Sequence, residues 1–207
     1  YELSVYSIGN TWKVVYSTAG NNLKQAIEIA ESASPRNNNA AAQSKIVLAQ
    51  VMYEATTLFG DIPFSESWNP EEFPYPKFDS QKDVLYRLIA LLDEAIVQLD
   101  ESDPLMISDY DIYYKGDLDK WRKLANSLKL KIYLVMVDAE PAVAANIGAL
   151  IKNSEDMISS PSDSWLHPYY DTEINQNPKY RLLKYFENGV NNWFFANSNV
   201  FKYMDEN

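Results

Sequence analysis

The chain has 207 residues, 46% hydrophobic and 23% charged, a balance that excludes a disordered polymer and allows one large domain. Its 18 Lys and Arg against 29 Asp and Glu leave a net charge of −11, which repels nucleic acid and disfavours docking on anionic lipid. Cysteine is absent, which excludes disulfides, thiol nucleophiles and cysteine metal sites, and no apolar run of about 18 residues exists to cross a membrane.

The alternating residues 1–8 carry a weak strand signal. Asn10 or Thr11 then suits the cap of a first helix, which Gly20 should break or kink before residues 23–32 resume it. Residues 34–39, SPRNNN, form a turn cluster. A helix follows over 40–59, with Ile46, Ala49, Met52, Tyr53 and Thr56 on one face. Gly60 suits a left-handed terminus, and Pro63 forces Ile62 toward extended geometry, so LFGDIPFSES leads stiffly into a Pro- and aromatic-rich loop. Asp61 should hold that turn.

Asp79 or Ser80 caps the next helix, where Val84, Leu88, Leu91, Leu92, Ala95 and Leu99 make an apolar stripe that Asp103-Pro104 ends. The loop DYDIYYKGD over 109–117 precedes a helix over 117–137, capped by Asp117 or Asp119. Pro141 opens a short helix through Lys152, with Asp138 as its cap. Residues 159–176 read as an aromatic loop with weak strand character near 165–170, and short helices follow around 180–187 and 196–205. Antiparallel helix pairs are the plainest architecture for this order, so the fold class is all-α. A clean 34-residue repeat is missing.

No constellation points to catalysis. His167, the single histidine, has no nucleophile or metal partner in the sequence pattern. The adjacent carboxylates Glu71/Glu72, Asp93/Glu94 and Asp100/Glu101 diverge onto solvated faces, whereas glycosidase chemistry needs two that face each other across a cleft. Asp109, Asp111 and Asp117 with Gly116 fail the EF-hand pattern because Ile112, Tyr113 and Tyr114 occupy ligand positions. Trp12, Trp121 and Trp193 read as packing residues. The loop aromatics read as exposed: Trp68, Phe73 and Tyr75, then Tyr110, Tyr113 and Tyr114, then Trp165, Tyr169 and Tyr170. Sugar C–H faces stack on such rings. Asp163, Asp171, Asn175 and Gln176 surround the last group, so Trp165, Tyr169 and Tyr170 are the favoured glycan platform, with Trp68 and Tyr75 beside them as candidates.

Several phrases in order resemble the SusD/RagB family of surface nutrient-binding lipoproteins from Bacteroidetes. They are FGDIPFSES, PKFDSQKDVL, LLDEAIVQL, KWRKLANSLKLKI at 120–132 and the segment NPKYRLLKYFENGVNNWFFANSNVFKYMDEN at 177–207. Trp12, Tyr16, Asn21 and Ile27 repeat the spacing of that family's first helix. The resemblance implies a tetratricopeptide-like superhelix with ligand loops around it, over 1–207 as one helical domain of a longer protein lacking both termini here. It also implies a non-enzymatic protein without cofactor or metal, which captures an oligosaccharide, or in some branches a peptide. The implied partner is a SusC-like TonB-dependent transporter, and the implied location is the outer-membrane surface, reached through a lipid anchor outside this chain. A tetratricopeptide-like protein–protein adaptor is the rival reading, and a glycan-cleaving enzyme the third.

Overall fold

The computed structural model describes residues 5–170, 172, 175–178, 180 and 181. The chain divides into two compact units, Tyr1–Leu166 and His167–Asn207. In the first, α1 (Val5–Lys13) runs without a break through a π-helical segment, Val14–Gly20, into α2 (Asn21–Ser32). Then come α3 (Asn38–Phe59), α4 (Gln81–Gln98), α5 (Leu118–Met136) and α6 (Ala144–Lys152). Single 3-10 turns lie at Pro141–Val143, Ser154–Asp156 and Pro161–Asp163. Among the described residues the only sheet-like pairing is an antiparallel bridge between Ile62 and Asp79.

The all-α expectation holds, and α3 is the centre of the unit. Ala41, Ala42, Ile46 and Met52 on this helix are fully buried, and α2, α4 and α5 all pack against it. Small residues in its first turns let the neighbouring backbones come close. The helices are antiparallel, as side-chain ties at both ends demonstrate. Gln81 at the start of α4 donates to the Thr56 carbonyl near the end of α3, while Lys45 in early α3 reaches Glu94 in late α4. Arg122 in early α5 likewise donates to the carbonyls of Ile96 and Leu99 at the end of α4. The predicted stripe on α4 is the core face, with Val84, Leu88, Leu92 and Ala95 inaccessible to solvent.

Ser80 caps α4 by accepting from Asp83 N, and Asp117 caps α5 by accepting from Lys120 N. Asp79 and Asp119 are not the caps. Helix starts elsewhere differ from expectation. Residues 5–8 are helical rather than extended, so neither Asn10 nor Thr11 is a cap. Asn37, not the middle of a turn cluster, caps α3, and the following Asn39 is completely buried. Asp138 does not cap the segment after Pro141, whose N-terminal residue is Glu140. Residues 165–170 form no strand.

Gly20 does not break the first helix, which continues through the π-helical segment into α2. A Cβ at Gly20 would lie 2.2 Å from Trp68 Cζ2 and 2.7 Å from the Val15 carbonyl oxygen, so glycine is required there by the close approach of an indole ring and of the backbone one π-turn earlier. The wider π-helical turn absorbs the local change of winding.

Two amides on successive turns of α3 bind the α4–α5 connection. Asn39 Nδ2 shares its donors among the carbonyls of Asp100, Asp103 and Leu105, and its Oδ1 accepts from Asp100 N at 2.7 Å. Gln43 exchanges a pair of bonds with Ile107, 2.8 and 2.9 Å long. In the second unit, Tyr170 N donates to Asn175 O, and Asn177 accepts from Tyr180 N at the start of a helical turn. Trp193 and the expected helices beyond this turn lie outside the described residues.

Candidate functional site

The connection between α3 and α4 begins at Gly60, whose φ of +78° is a backbone state that side chains rarely adopt. Gly60 N donates to Thr56 O, and Thr56 Oγ1 donates back to the Gly60 carbonyl. Asp61 reaches across the turn to accept from Gln81 N at 2.8 Å, in keeping with its expected role in holding the turn. Asp79 closes the other end. Its carboxylate is buried and accepts from Phe64 N, Ser65 N and the Ser65 hydroxyl. Burial alone would push this acid up, but the bonds from Ser65 and Phe64 outweigh it and hold the group below the usual aspartate range. Farther out, Glu66 accepts from Lys77 N and pairs with its ammonium, both at 2.9 Å.

Between these ties the residues 67–76 project a Pro- and aromatic-rich lobe. Trp68 has a φ of +61°, a strained state for a bulky residue. Three contacts hold it there. Trp68 Nε1 donates to the Tyr16 carbonyl at 2.8 Å, its ring stacks with Tyr16 at 5.7 Å, and its edge lies over Gly20. Tyr16 is fixed at both ends, because its hydroxyl donates to Pro63 O at 2.8 Å. Burial, with the Asp79 charge nearby, raises the phenol well above its ordinary pKa, so Tyr16 is a neutral donor at any physiological pH. Trp12 extends the cluster, 4.6 Å from Tyr16 and 5.1 Å from Phe59.

Trp12, Tyr16, Trp68 and Phe73 wall an open cleft of about 530 Å³, with prolines behind them and Asn21 and Glu66 among its polar groups. That volume lies within the roughly 300–1,000 Å³ of small-molecule sites. Trp68 is therefore half-buried and fixed rather than freely exposed. Tyr75 is 93% exposed and does not line the cleft. Trp12 both packs on Phe59 and lines the cleft. Its helical spacing signalled only the first of these roles, and no signal in the sequence places it against a loop more than fifty residues away.

The other aromatic candidates have different surroundings. Tyr114 is buried, contrary to the expectation of exposure, and its hydroxyl donates to Asp163 O at 2.8 Å. Tyr113 is half-buried, with ring contacts to Trp121 and Trp165 at 6.3 and 4.9 Å. Asp111 explains this loop. Its Oδ1 accepts from Tyr113 N and Tyr114 N, and its Oδ2 from Gly116 N and Trp121 Nε1. Both oxygens are occupied by N–H donors, so DYDIYYKGD is a carboxylate-centred turn. No group of three or more His, Cys, Asp or Glu among the described residues could hold a metal ion. Trp165 is half-buried in the first unit, with its Nε1 buried and unpartnered among the described residues. Tyr169 and Tyr170 are exposed and belong to the second unit, where His167 lies 4.8 Å from Tyr169. Asp171 lies outside the described residues.

Residues 1–206 match the SusD-like family described as starch-binding and associating with the outer membrane. Solved structures give the same relationship. A SusD/RagB protein from Bacteroides thetaiotaomicron is 25% identical with a TM-score of 0.72, over 85% of this chain and 36% of its own. A SusD homologue from Bacteroides uniformis is 28% identical with a TM-score of 0.70, over 83% and 34% respectively. A chitin-binding SusD homologue from Flavobacterium johnsoniae is 25% identical with a TM-score of 0.64, over 77% and 34%. The chain thus spans about a third of the length of these solved relatives. No curated protein matches it.

Proposed function

This chain belongs to the SusD-like family, and from that premise we propose that it is part of a non-enzymatic protein that captures oligosaccharide for uptake. The observation that carries the reading is the cleft at Trp68. An indole and a phenol are held rigidly beside an open, ring-sized space, with amide and carboxylate groups within reach of hydroxyls. Pre-organised aromatic faces suit the apolar C–H faces of sugars, and fixing the rings before binding reduces the ordering cost. That one similar protein is a chitin-binding homologue supports the same ligand class. The mechanism is capture and release: rings stack, polar groups orient, and no bond in the ligand is made or broken.

The full protein would sit at the outer-membrane surface through a lipid anchor and pass its ligand to a SusC-like TonB-dependent transporter. Trp68 is the leading platform residue. Trp165, Tyr169, Tyr170 and Tyr75 remain candidates to be tested one by one. A glycan array probed with the full-length protein should show binding that Trp68→Ala weakens at least tenfold, a loss of about 1.4 kcal/mol. Affinity purification from outer membranes should recover a β-barrel transporter. A blank array would sink the glycan reading, and recovery of no barrel would sink the transport partnership.

A further inference from the structure

We propose that a second cavity, on the other side of Trp68, takes the anionic group of an acidic saccharide through Lys24 and Arg87. The inference rests on the glycan reading and names the substrate class more narrowly. The cavity holds about 350 Å³ and is lined by α2, α3, α4 and the loop residues 64–68. Ser67 and Trp68 line both this cavity and the aromatic cleft, so the two spaces share a wall.

Its charged groups fall into two sets. Lys45 is buried and committed, 2.6 Å from Glu31, 2.6 Å from Glu94 and 3.2 Å from Gln98. Arg36 adds a second cation to Glu31 at 3.3 Å. These contacts neutralise both carboxylates that line the cavity. Lys24 and Arg87 line it too, yet neither has a hydrogen bond or an ion pair among the described residues. Asp79 attracts Arg87 at longer range, but its oxygens are occupied by Phe64 and Ser65. Ser67 Oγ is buried and also unpartnered among the described residues.

An uncommitted ammonium and an uncommitted guanidinium on the wall of one cavity offer donors without matching acceptors. The complementary ligand group is an anion with several acceptor oxygens, such as the carboxylate of a uronate or a sulfate ester on a sugar. Charge-assisted bonds of this kind are roughly twice as strong as those between neutral groups. The chain's charge of −11 does not oppose this locally, since charges beyond about 8 Å are screened at physiological ionic strength. A ring stacked at Trp68 on the cleft side would therefore have a neighbouring compartment for an acidic unit.

Calorimetric titration of the full-length protein with three probes tests the inference: a galacturonate trisaccharide, a chondroitin sulfate disaccharide and a neutral galactose trisaccharide. At least one acidic probe should bind about tenfold more tightly than the neutral one. Lys24→Gln and Arg87→Gln should each weaken that acidic probe about tenfold and leave the neutral one unchanged, while Arg87→Lys retains most of the affinity. The stronger of the two acidic probes then identifies the group as carboxylate or sulfate. Both side chains reach solvent, and thermal melts of the variants verify that each is folded. Equal affinity for acidic and neutral probes, or charge-removing variants without effect, overturns the inference and leaves glycan capture standing. Failure of both acidic probes to bind also overturns it, whereas glycan capture itself falls only with a blank array.

Discussion

Two connections of this fold invite comparison, one between α3 and α4 and one between α4 and α5. Both are long, and both mix Tyr, Asp and Pro with few aliphatic residues. Their interiors are nevertheless built differently. The α4–α5 connection is tied along its length to the scaffold, through Asn39 and Gln43 from α3 and the fully occupied carboxylate of Asp111. Its central Tyr114 is buried. The α3–α4 connection is tied mainly at its ends, by Asp79 and by the Glu66–Lys77 pair, and the lobe between them leans on a single strained tryptophan. Where polar side chains satisfy the loop backbone, aromatic rings become scaffold. Where they secure only its ends, the rings wall a cleft.

This difference can be broken or sharpened by substitution. The largest effect should come from Asn39→Ala, which removes a fully buried amide and leaves Asp100 N and the carbonyls of Asp100, Asp103 and Leu105 without that partner. A loss of about 3 kcal/mol is expected in denaturant unfolding, and a loss under about 1 kcal/mol would refute the anchoring role of the amide. Gly20→Ala should cost about 2 kcal/mol, because its methyl group meets the Trp68 ring. The same change in a Trp68→Ala background should cost clearly less but still destabilise, because the Val15 carbonyl oxygen remains 2.7 Å from the new methyl position. Equal costs in both backgrounds would mean that Trp68 is not what demands glycine.

Asp79→Asn comes next, at about 1.5 kcal/mol near neutral pH, because a charged acceptor of three bonds is replaced by a neutral one. Its pH dependence has a definite sign. The folded acid is held below its unfolded value of about 3.9, so its contribution is complete above that value and fades as pH falls through the folded one. Wild-type and variant stabilities should therefore converge in acid, and a constant gap down to the lowest accessible pH would contradict the assignment. The smallest effect belongs to Tyr75→Ala at the exposed tip of the lobe, which should leave the thermal midpoint unchanged.

Much of this scaffold was legible in the sequence. The apolar stripe of α4, the caps Ser80 and Asp117 and the turn around Gly60 and Asp61 are local features, fixed by spacing and by backbone chemistry. What escaped was non-local. Asn39 looks like one of three turn-forming asparagines until its partners, more than sixty residues away, are known. Lys45 similarly looks like a solvent-facing lysine within an apolar helix, and only the packing of α2 and α4 supplies the acids that permit its burial. The site was legible in residue type but less so in grouping. Trp68 was a candidate, yet its partners Trp12 and Tyr16 belong to a helix whose periodicity advertised only packing.

The π-helical segment Val14–Gly20 sets the phase of α2, which continues it without a break. Each α-helical residue turns the chain by about 100°, so losing one residue from this segment would rotate α2 by roughly that angle. Ile27 and Ala30 would leave the core, and Lys24 would turn away from its cavity. The segment thus works as a ruler. Its residues can change in kind more freely than in number, and a single deletion there should be far more damaging than any conservative replacement.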